Sequence, residues 1–155
     1  EIITDSIDGL KKTYLVNYDT TGKTIEKGEI VNGKYNGKIV WYYKSGSPSI
    51  IGYYLDIFPY GNWIEYYEDG ILKARYSFVS GLKDGIYEYY YPNGNIWTKK
   101  EYKKGKLIKV LELKSKNGDN LDIGSFSDGN GLLNVYNEQS IVIKTANYKD
   151  GLLTK

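Results

Sequence analysis

Glycine recurs at intervals of 24 residues along this chain of 155 residues. The first series is Gly22, Gly46, Gly70, Gly94 and Gly118, and the tyrosines Tyr18, Tyr42, Tyr66 and Tyr90 keep the same interval. The second series is Gly9, Gly33, Gly81, Gly105 and Gly129, with Ile57 in its one gap and Gly151 displaced by two residues at its end. A fixed period of this length is typical of repeat proteins, in which each unit packs only on its neighbours.

Each period is predicted to be a β-hairpin. Asp69-Gly70, Asn93-Gly94 and Asn117-Gly118 favour two-residue type I′ turns, because both central residues of such a turn need a positive φ. The second turn of each unit is predicted to be longer, as over residues 33–37. The flanking segments are rich in Tyr, Ile, Val and Trp, which favour strands. We therefore predict an all-β fold, an elongated single-layer antiparallel sheet of about six stacked 24-residue β-hairpin repeats, with residues 1–155 forming a single repeat array.

A hairpin tip at Asp69-Gly70 sorts the side chains onto two faces of the sheet. The predicted cross-strand pairs are Tyr67 with Leu72, Glu65 with Ala74, and Trp63 with Tyr76. The face that carries these residues is apolar and aromatic, and the other face is mixed, as is common in antiparallel sheets. Small residues recur on the aromatic face at Gly28, Gly52, Gly124 and Ala146. They predict points at which the sheet bends.

The composition argues against catalysis. The chain contains neither histidine nor cysteine, which removes the commonest general base, the commonest metal ligand and all thiol chemistry. We predict that the protein is not an enzyme and has no cofactor and no metal. The carboxylates of Asp119, Asp122 and Asp128 lack the spacing of known calcium loops, and we interpret them as turn residues. The net charge of +2 without a basic cluster indicates no nucleic-acid partner.

The sequence has no apolar segment long enough for a transmembrane helix. It begins at Glu1 and contains no methionine. A removed signal peptide explains such a start, and so does trimming of the chain before study. Our expectation is an exported or cell-envelope protein rather than a cytoplasmic one.

The unit Gly61-Asn-Trp63-Ile-Glu-Tyr66-Tyr67-Glu-Asp-Gly70 resembles the MORN repeat in its second variant, which occurs in bacterial YwqK-type proteins. Tyr102-Lys-Lys-Gly105 resembles the Tyr-x-x-Gly-Lys segment of that family. The resemblance covers most of the chain and implies stacked hairpins that bind proteins or membrane lipids, without catalytic residues. The sequence departs from the repeat at Ile57, Lys109 and Lys114, which replace two glycines and a tyrosine.

We expect a binding scaffold whose partner is another protein. Candidate contact residues on the aromatic face are Trp41, Tyr43, Trp63, Tyr67, Tyr89 and Tyr91. Exposed aromatic patches mark interaction sites, but the same rings could instead form the core, and their exposure distinguishes the two readings. The tyrosines of the first series are expected to be structural.

Other binding functions remain open. The pattern Gly-x-Trp with paired tyrosines is similar to cell-wall repeats that bind glycans or choline in aromatic cages. An antitoxin-type partnership with a toxin and binding to membrane lipid are further alternatives.

Overall fold

The computed structural model describes residues 1–7 and 10–154, and this part of the chain contains strands and no helix. Gly9 of the second glycine series lies outside the described residues. The strands are β1 (Ile2–Ile7), β2 (Leu10–Tyr18), β3 (Thr24–Val31), β4 (Lys34–Tyr42), β5 (Pro48–Leu55), β6 (Phe58–Tyr66), β7 (Leu72–Val79), β8 (Leu82–Lys83), β9 (Gly85–Tyr90), β10 (Ile96–Lys103), β11 (Lys106–Leu113), β12 (Gly131–Tyr136), β13 (Val142–Lys149) and β14 (Leu152–Leu153).

The strands form two antiparallel sheets. Strands β1 to β11 make an 11-stranded sheet in which each strand pairs with the next along the chain, except that the short β8 lies beside β7 only and β9 continues the order. Strands β12 to β14 make a three-stranded sheet. Every pair of strands in extensive contact is a hydrogen-bonded pair. Residues of β12 in the short sheet line a cavity together with Tyr89 and Trp97 of the long sheet. The predicted single-layer antiparallel sheet of consecutive hairpins is confirmed.

The turns at the first glycine series have a different type from the one predicted. The backbone N–H of Tyr67 donates to the carbonyl of Ile71 (2.8 Å), and the N–H of Gly70 donates to the carbonyl of Tyr67 (2.9 Å). Gly70 has a φ of 86°, whereas Asp69 is not among the residues of positive φ. This is a type I turn followed by a glycine bulge, which closes a three-residue loop instead of a two-residue type I′ turn.

The bulge changes the register near the tip by one residue. Tyr66, not Tyr67, pairs with Leu72, and the register shift falls between Glu65 and Tyr66. Farther from the tip the predicted pairs Glu65 with Ala74 and Trp63 with Tyr76 are present. Only the pair next to the turn was therefore predicted wrongly.

The type I′ turns lie at the second glycine series, where a longer turn was expected. Ser80 and Gly81 have φ values of 50° and 78°, and the flanking residues Val79 and Leu82 pair directly. The same pair of positive φ values recurs at 32–33, 56–57, 104–105, 128–129 and 150–151. Two consecutive residues of positive φ between paired strand ends are the signature of a type I′ turn.

Ile57 occupies a glycine position of this turn at a φ of 71°. A β-branched residue is strained in the left-handed region, and the side chain of Ile57 is half exposed, so it recovers little by burial. We expect Ile57→Gly to raise the free energy of unfolding by about 1 kcal/mol, measured by urea unfolding.

The matched control places the same strain at an equivalent turn. Gly33 has a φ of 74°, and a Cβ added there would meet no atom. Gly33→Ile should therefore lower stability through backbone strain alone. A neutral Ile57→Gly substitution would contradict the strain assigned to this turn.

The sheet is interrupted in the fifth repeat, which contains the departures Lys109 and Lys114. Between β11 and β12 the chain makes isolated bridges, including Gly124 with Leu133. A buried cluster of Leu107, Phe126 and Leu133 joins the two sheets, and the backbone N–H of Leu107 donates to the carbonyl of Gly151 (2.9 Å). The short sheet therefore packs at the end of the long one.

Candidate binding face

One side of the long sheet, which we call the aromatic face, carries a network of contacting rings. Its members are Tyr35, Trp41, Tyr54, Trp63, Tyr76, Phe78, Tyr87 and Tyr102, from β4 to β10. Neighbouring ring centroids lie between 5.4 and 6.2 Å apart. Most pairs are tilted or edge-to-face, the arrangements that aromatic quadrupoles favour. The rings therefore contact one another across successive strands of the sheet.

Trp63 is the centre of the network. Its ring contacts Trp41, Tyr54 and Phe78, and only 6% of the residue is exposed. The indole lies directly over Gly52, where the Cβ of any other residue would collide with the ring. Glycine thus lets the ring approach the backbone of the neighbouring strand.

Gly28 repeats this arrangement one unit earlier. A Cβ on Gly28 would lie 2.6 Å from the ring of Tyr35. Gly28 and Gly52 were predicted as points of bending, and the structure shows a ring seated over each of them. Two of the four small residues therefore lie beneath rings of the network, whereas a Cβ on Gly124 would meet the backbone of Leu132.

The six predicted contact residues differ in exposure. Trp63 and Tyr91 are buried, whereas Trp41, Tyr43, Tyr67 and Tyr89 are half-buried. The ring of Tyr91 stacks on Trp97 with the centroids 4.5 Å apart. Burial makes Trp63 and Tyr91 parts of the fold, and the four others are accessible at the surface. A contact between these residues and a partner stays a prediction.

Tyrosine hydroxyls link three successive pairs of repeats. The hydroxyl of Tyr43 donates to the carbonyl of Tyr66 (2.6 Å), that of Tyr67 to Tyr90 (2.7 Å), and that of Tyr91 to Lys114 (2.9 Å). Each bond joins residues 23 positions apart. The donor is the residue that follows the tyrosine series predicted to be structural. Because the acceptor is a backbone carbonyl, lysine at position 114 still completes the bond.

Tyr91→Phe is expected to lower the free energy of unfolding by about 1–2 kcal/mol. The substitution removes the hydroxyl of a buried residue, so the carbonyl of Lys114 loses its hydrogen-bond donor. The measurement is urea unfolding. Lys114→Tyr restores the repeat pattern and leaves the carbonyl in place, so it should change stability by no more than about 0.5 kcal/mol. If the lysine substitution had the larger effect, the assignment of this bond to the backbone would be wrong.

On the face opposite the aromatic face, charged side chains form salt bridges with one another. Glu88 is buried and bonded to the guanidinium of Arg75, and the Nζ of Lys99 lies 3.2 Å from its carboxylate. The hydrogen bond from Arg75 lowers the pKa of Glu88 below its usual value. This carboxylate is therefore ionised and neutralised within the fold.

The aromatic face carries two lysines of a different kind. The Nζ of Lys83 lies 4.5 Å from the ring centroid of Tyr87, 5.2 Å from that of Tyr76 and 5.6 Å from that of Tyr102. Burial lowers the pKa of Lys83. Burial, and then the charge of Lys83, lower the pKa of Lys100. Neither amine is in a salt bridge with a described carboxylate.

Sequence reasoning missed these two lysines because the chain contains many dispersed lysines. A signal does exist for Lys100. It occupies the repeat position that holds Gly28, Gly52, Tyr76 and Gly124 in other units, a position on the aromatic face of the sheet. Lysine is unusual at a position whose side chain is largely removed from solvent.

No group of three or more ligating side chains that could hold a metal occurs in the described ranges. The Oδ2 of Asp119 accepts a bond from the hydroxyl of Ser115 (3.1 Å), and the Oδ1 of Asp122 accepts one from the N–H of Gly124 (2.9 Å). Both carboxylates thus bond to their own turns. Across residues 1–7 and 10–154, no helix is long and apolar enough to cross a membrane.

The geometry defines a class of protein, an open sheet of β-hairpin repeats linked by ring contacts and tyrosine hydroxyls. The family model described as MORN repeat variant matches residues 59–80 and 83–104, so these two segments are MORN repeats of the variant type. These segments coincide with β6–β7 and β9–β10. MORN repeats are generally non-catalytic binding modules that contact proteins or membrane phospholipids. No curated protein was found to match the chain.

Proposed function

We propose that this protein is a non-enzymatic scaffold that binds another protein on the aromatic face. The observation that carries the proposal is the continuous ring network on one face of the long sheet. Aromatic side chains are enriched in protein interfaces and concentrate the energy of binding. Rings that already contact one another lose little conformational freedom when a partner docks.

The accessible rings of the aromatic face are the proposed contacts. Trp41 and Tyr89 are half-buried, so part of each ring can meet a partner. Trp63 and Tyr91 lie beneath the surface and hold their neighbours in place. The proposal therefore divides the six residues predicted from sequence into a supporting pair and a contacting group.

An aromatic cage for choline is less compatible with this face. The cluster of Tyr76, Tyr87 and Tyr102 surrounds the ammonium of Lys83. A cage that already contains a cation of the chain has no room for a quaternary ammonium ligand. A toxin that binds this face would be one form of the proposed protein partner.

Site-specific photocrosslinking in the source cell tests the proposal. A benzophenone amino acid at Tyr89 should capture a defined protein, and the same group at Ile86, on the opposite face of β9, should not. The captured protein, once purified, should bind the chain directly, and Trp41→Ala or Tyr89→Ala should weaken it by about tenfold or more. Equal capture at both positions, or binding of glucan alone on a glycan array, would reject a protein partner at this face.

A further inference from the structure

We propose that Lys83 and Lys100 form an anion-binding centre that takes the carboxylate of an acidic side chain in the partner protein. The inference rests on the proposed protein-binding function and adds the chemistry of the partner. It identifies the C-terminal end of the aromatic face, over β8 to β11, as the place where an acidic peptide segment docks.

The first argument is charge complementarity. The carboxylate near Lys83 is that of Glu65, which accepts a bond from the hydroxyl of Tyr76 (2.7 Å) and lies 3.5 Å from the Nζ of Lys73. Glu65 is thus already neutralised, and the charges of Lys83 and Lys100 oppose each other. A partly buried ammonium group that is in no salt bridge is costly even beside aromatic rings. A carboxylate between the two amines relieves that cost.

The second argument is the supply of hydrogen-bond donors. The hydroxyls of Tyr87 and Tyr102 have no partner among the side-chain hydrogen bonds of the described residues, and both rings lie around Lys83. Burial raises the pKa of Tyr87, and it raises the pKa of Tyr102 to about 12. Both phenols are therefore protonated at neutral pH and able to donate to an anion.

The third argument is the cavity beside Lys100. Its volume is about 220 Å³, and its wall includes Tyr89, Trp97, Leu113 and Leu133 as well as Lys100. Most of this wall is apolar, so it suits an aliphatic or aromatic side chain. A peptide in which an acidic residue neighbours an apolar one would fill the cavity and neutralise the lysines together.

The donor set favours a carboxylate over a phosphate. Phosphate recognition commonly uses the fork of an arginine or a cluster of backbone N–H groups. The one arginine of the chain, Arg75, is bonded to Glu88 on the other face. The centre offers two ammonium groups and phenol hydroxyls, which match the two oxygens of a carboxylate.

The test uses the whole chain and two labelled octapeptides, one alternating Glu with Leu and one alternating Gln with Leu. Fluorescence anisotropy should show that the Glu peptide binds at least about tenfold more tightly, and that Lys83→Met and Lys100→Met each weaken it by at least about tenfold. Lys109→Met, an exposed lysine on β11, is the matched control and should leave binding unchanged. Equal affinity for both peptides, or insensitivity to Lys100→Met, would overturn the proposal. Stronger binding to phosphatidylserine vesicles than to the Glu peptide would also overturn it, in favour of a lipid headgroup.

Two further measurements test whether Lys100 is unpaired and whether the carboxylate proposal fails independently of the protein-binding function. Thermal unfolding without peptide should show an unchanged or higher midpoint for Lys100→Met, because the variant removes an unpaired charge. A lower midpoint would mean that the fold already neutralises this amine, and the centre would be lost. If Lys100→Met leaves the crosslink at Tyr89 unchanged, the carboxylate proposal fails while the protein-binding function stands.

Discussion

Trp63→Ala is expected to lower the free energy of unfolding by about 3–5 kcal/mol. The substitution removes the ring that contacts Trp41, Tyr54 and Phe78, and it leaves a cavity among these three rings. Urea unfolding followed by circular dichroism measures the loss. Tyr60→Ala on the same strand, where the ring is half exposed, is the control and should cost less than about 1 kcal/mol.

A double-mutant cycle with Gly52 tests whether the indole of Trp63 lies against the backbone of Gly52. Gly52→Ala alone should cost about 1–3 kcal/mol, because the added methyl group collides with the indole. In the Trp63→Ala background the same methyl group has room, so the two losses should not add. Additive losses would show that Trp63 does not lie on Gly52 in solution.

The protein is expected to lose stability steeply above pH 10. Burial raises the pKa of Tyr76, Tyr87 and Tyr102 above the ordinary tyrosine value of 10.0, for Tyr102 to about 12. Above pH 10 the unfolded chain has lost these phenolic protons while the folded chain retains them. The folded state then binds more protons, so the free energy of unfolding falls as pH rises. Below pH 10 this contribution is fully present.

Urea midpoints across this pH range, together with phenolate absorbance, measure the effect. Tyr102→Phe removes one of the buried phenols and should make the decline shallower, whereas Tyr60→Phe, at an exposed ring, should not. Lys83 and Lys100 contribute with the opposite sign, since their pKa is lowered and stability rises as they lose their protons below pH 10.5. If the part of the phenolate absorbance that Tyr102→Phe removes appeared before the chain unfolds, burial of this ring would be refuted.

The sequence predicted the hairpins of the long sheet well because turn chemistry and period agreed there, whereas the sheet is interrupted in the fifth repeat. It could not predict the turn type, because Asp-Gly suits a type I turn with a glycine bulge as well as a type I′ turn. In the structure the Oδ1 of Asp69 accepts the N–H of Ile71 (3.0 Å), a bond that stabilises the three-residue loop. The one-residue error in pairing Tyr67 follows from that bulge.

The aromatic face was predicted as a row of side chains, but its internal organisation was not. Strand alternation placed Trp63 and Gly52 on the same face, yet their contact depends on sheet twist and on the bulge between Ile51 and Tyr53, which the period does not encode. The hydroxyl bond of Tyr67 joins residues in different repeats, so no local pattern reveals it. Lys83 lies on β8 and Lys100 on β10, two strands apart in sequence order, so the sequence does not show that their charges interact.

The tyrosine bonds between repeats have a consequence for how such a chain can grow. Each donor needs only a backbone carbonyl from the following unit, and every residue type supplies one. Duplication of a repeat, or drift of its acceptor residue as at Lys114, therefore leaves the joint intact without a compensating change in the neighbour. Length and surface chemistry can evolve independently of the joints that hold the array together.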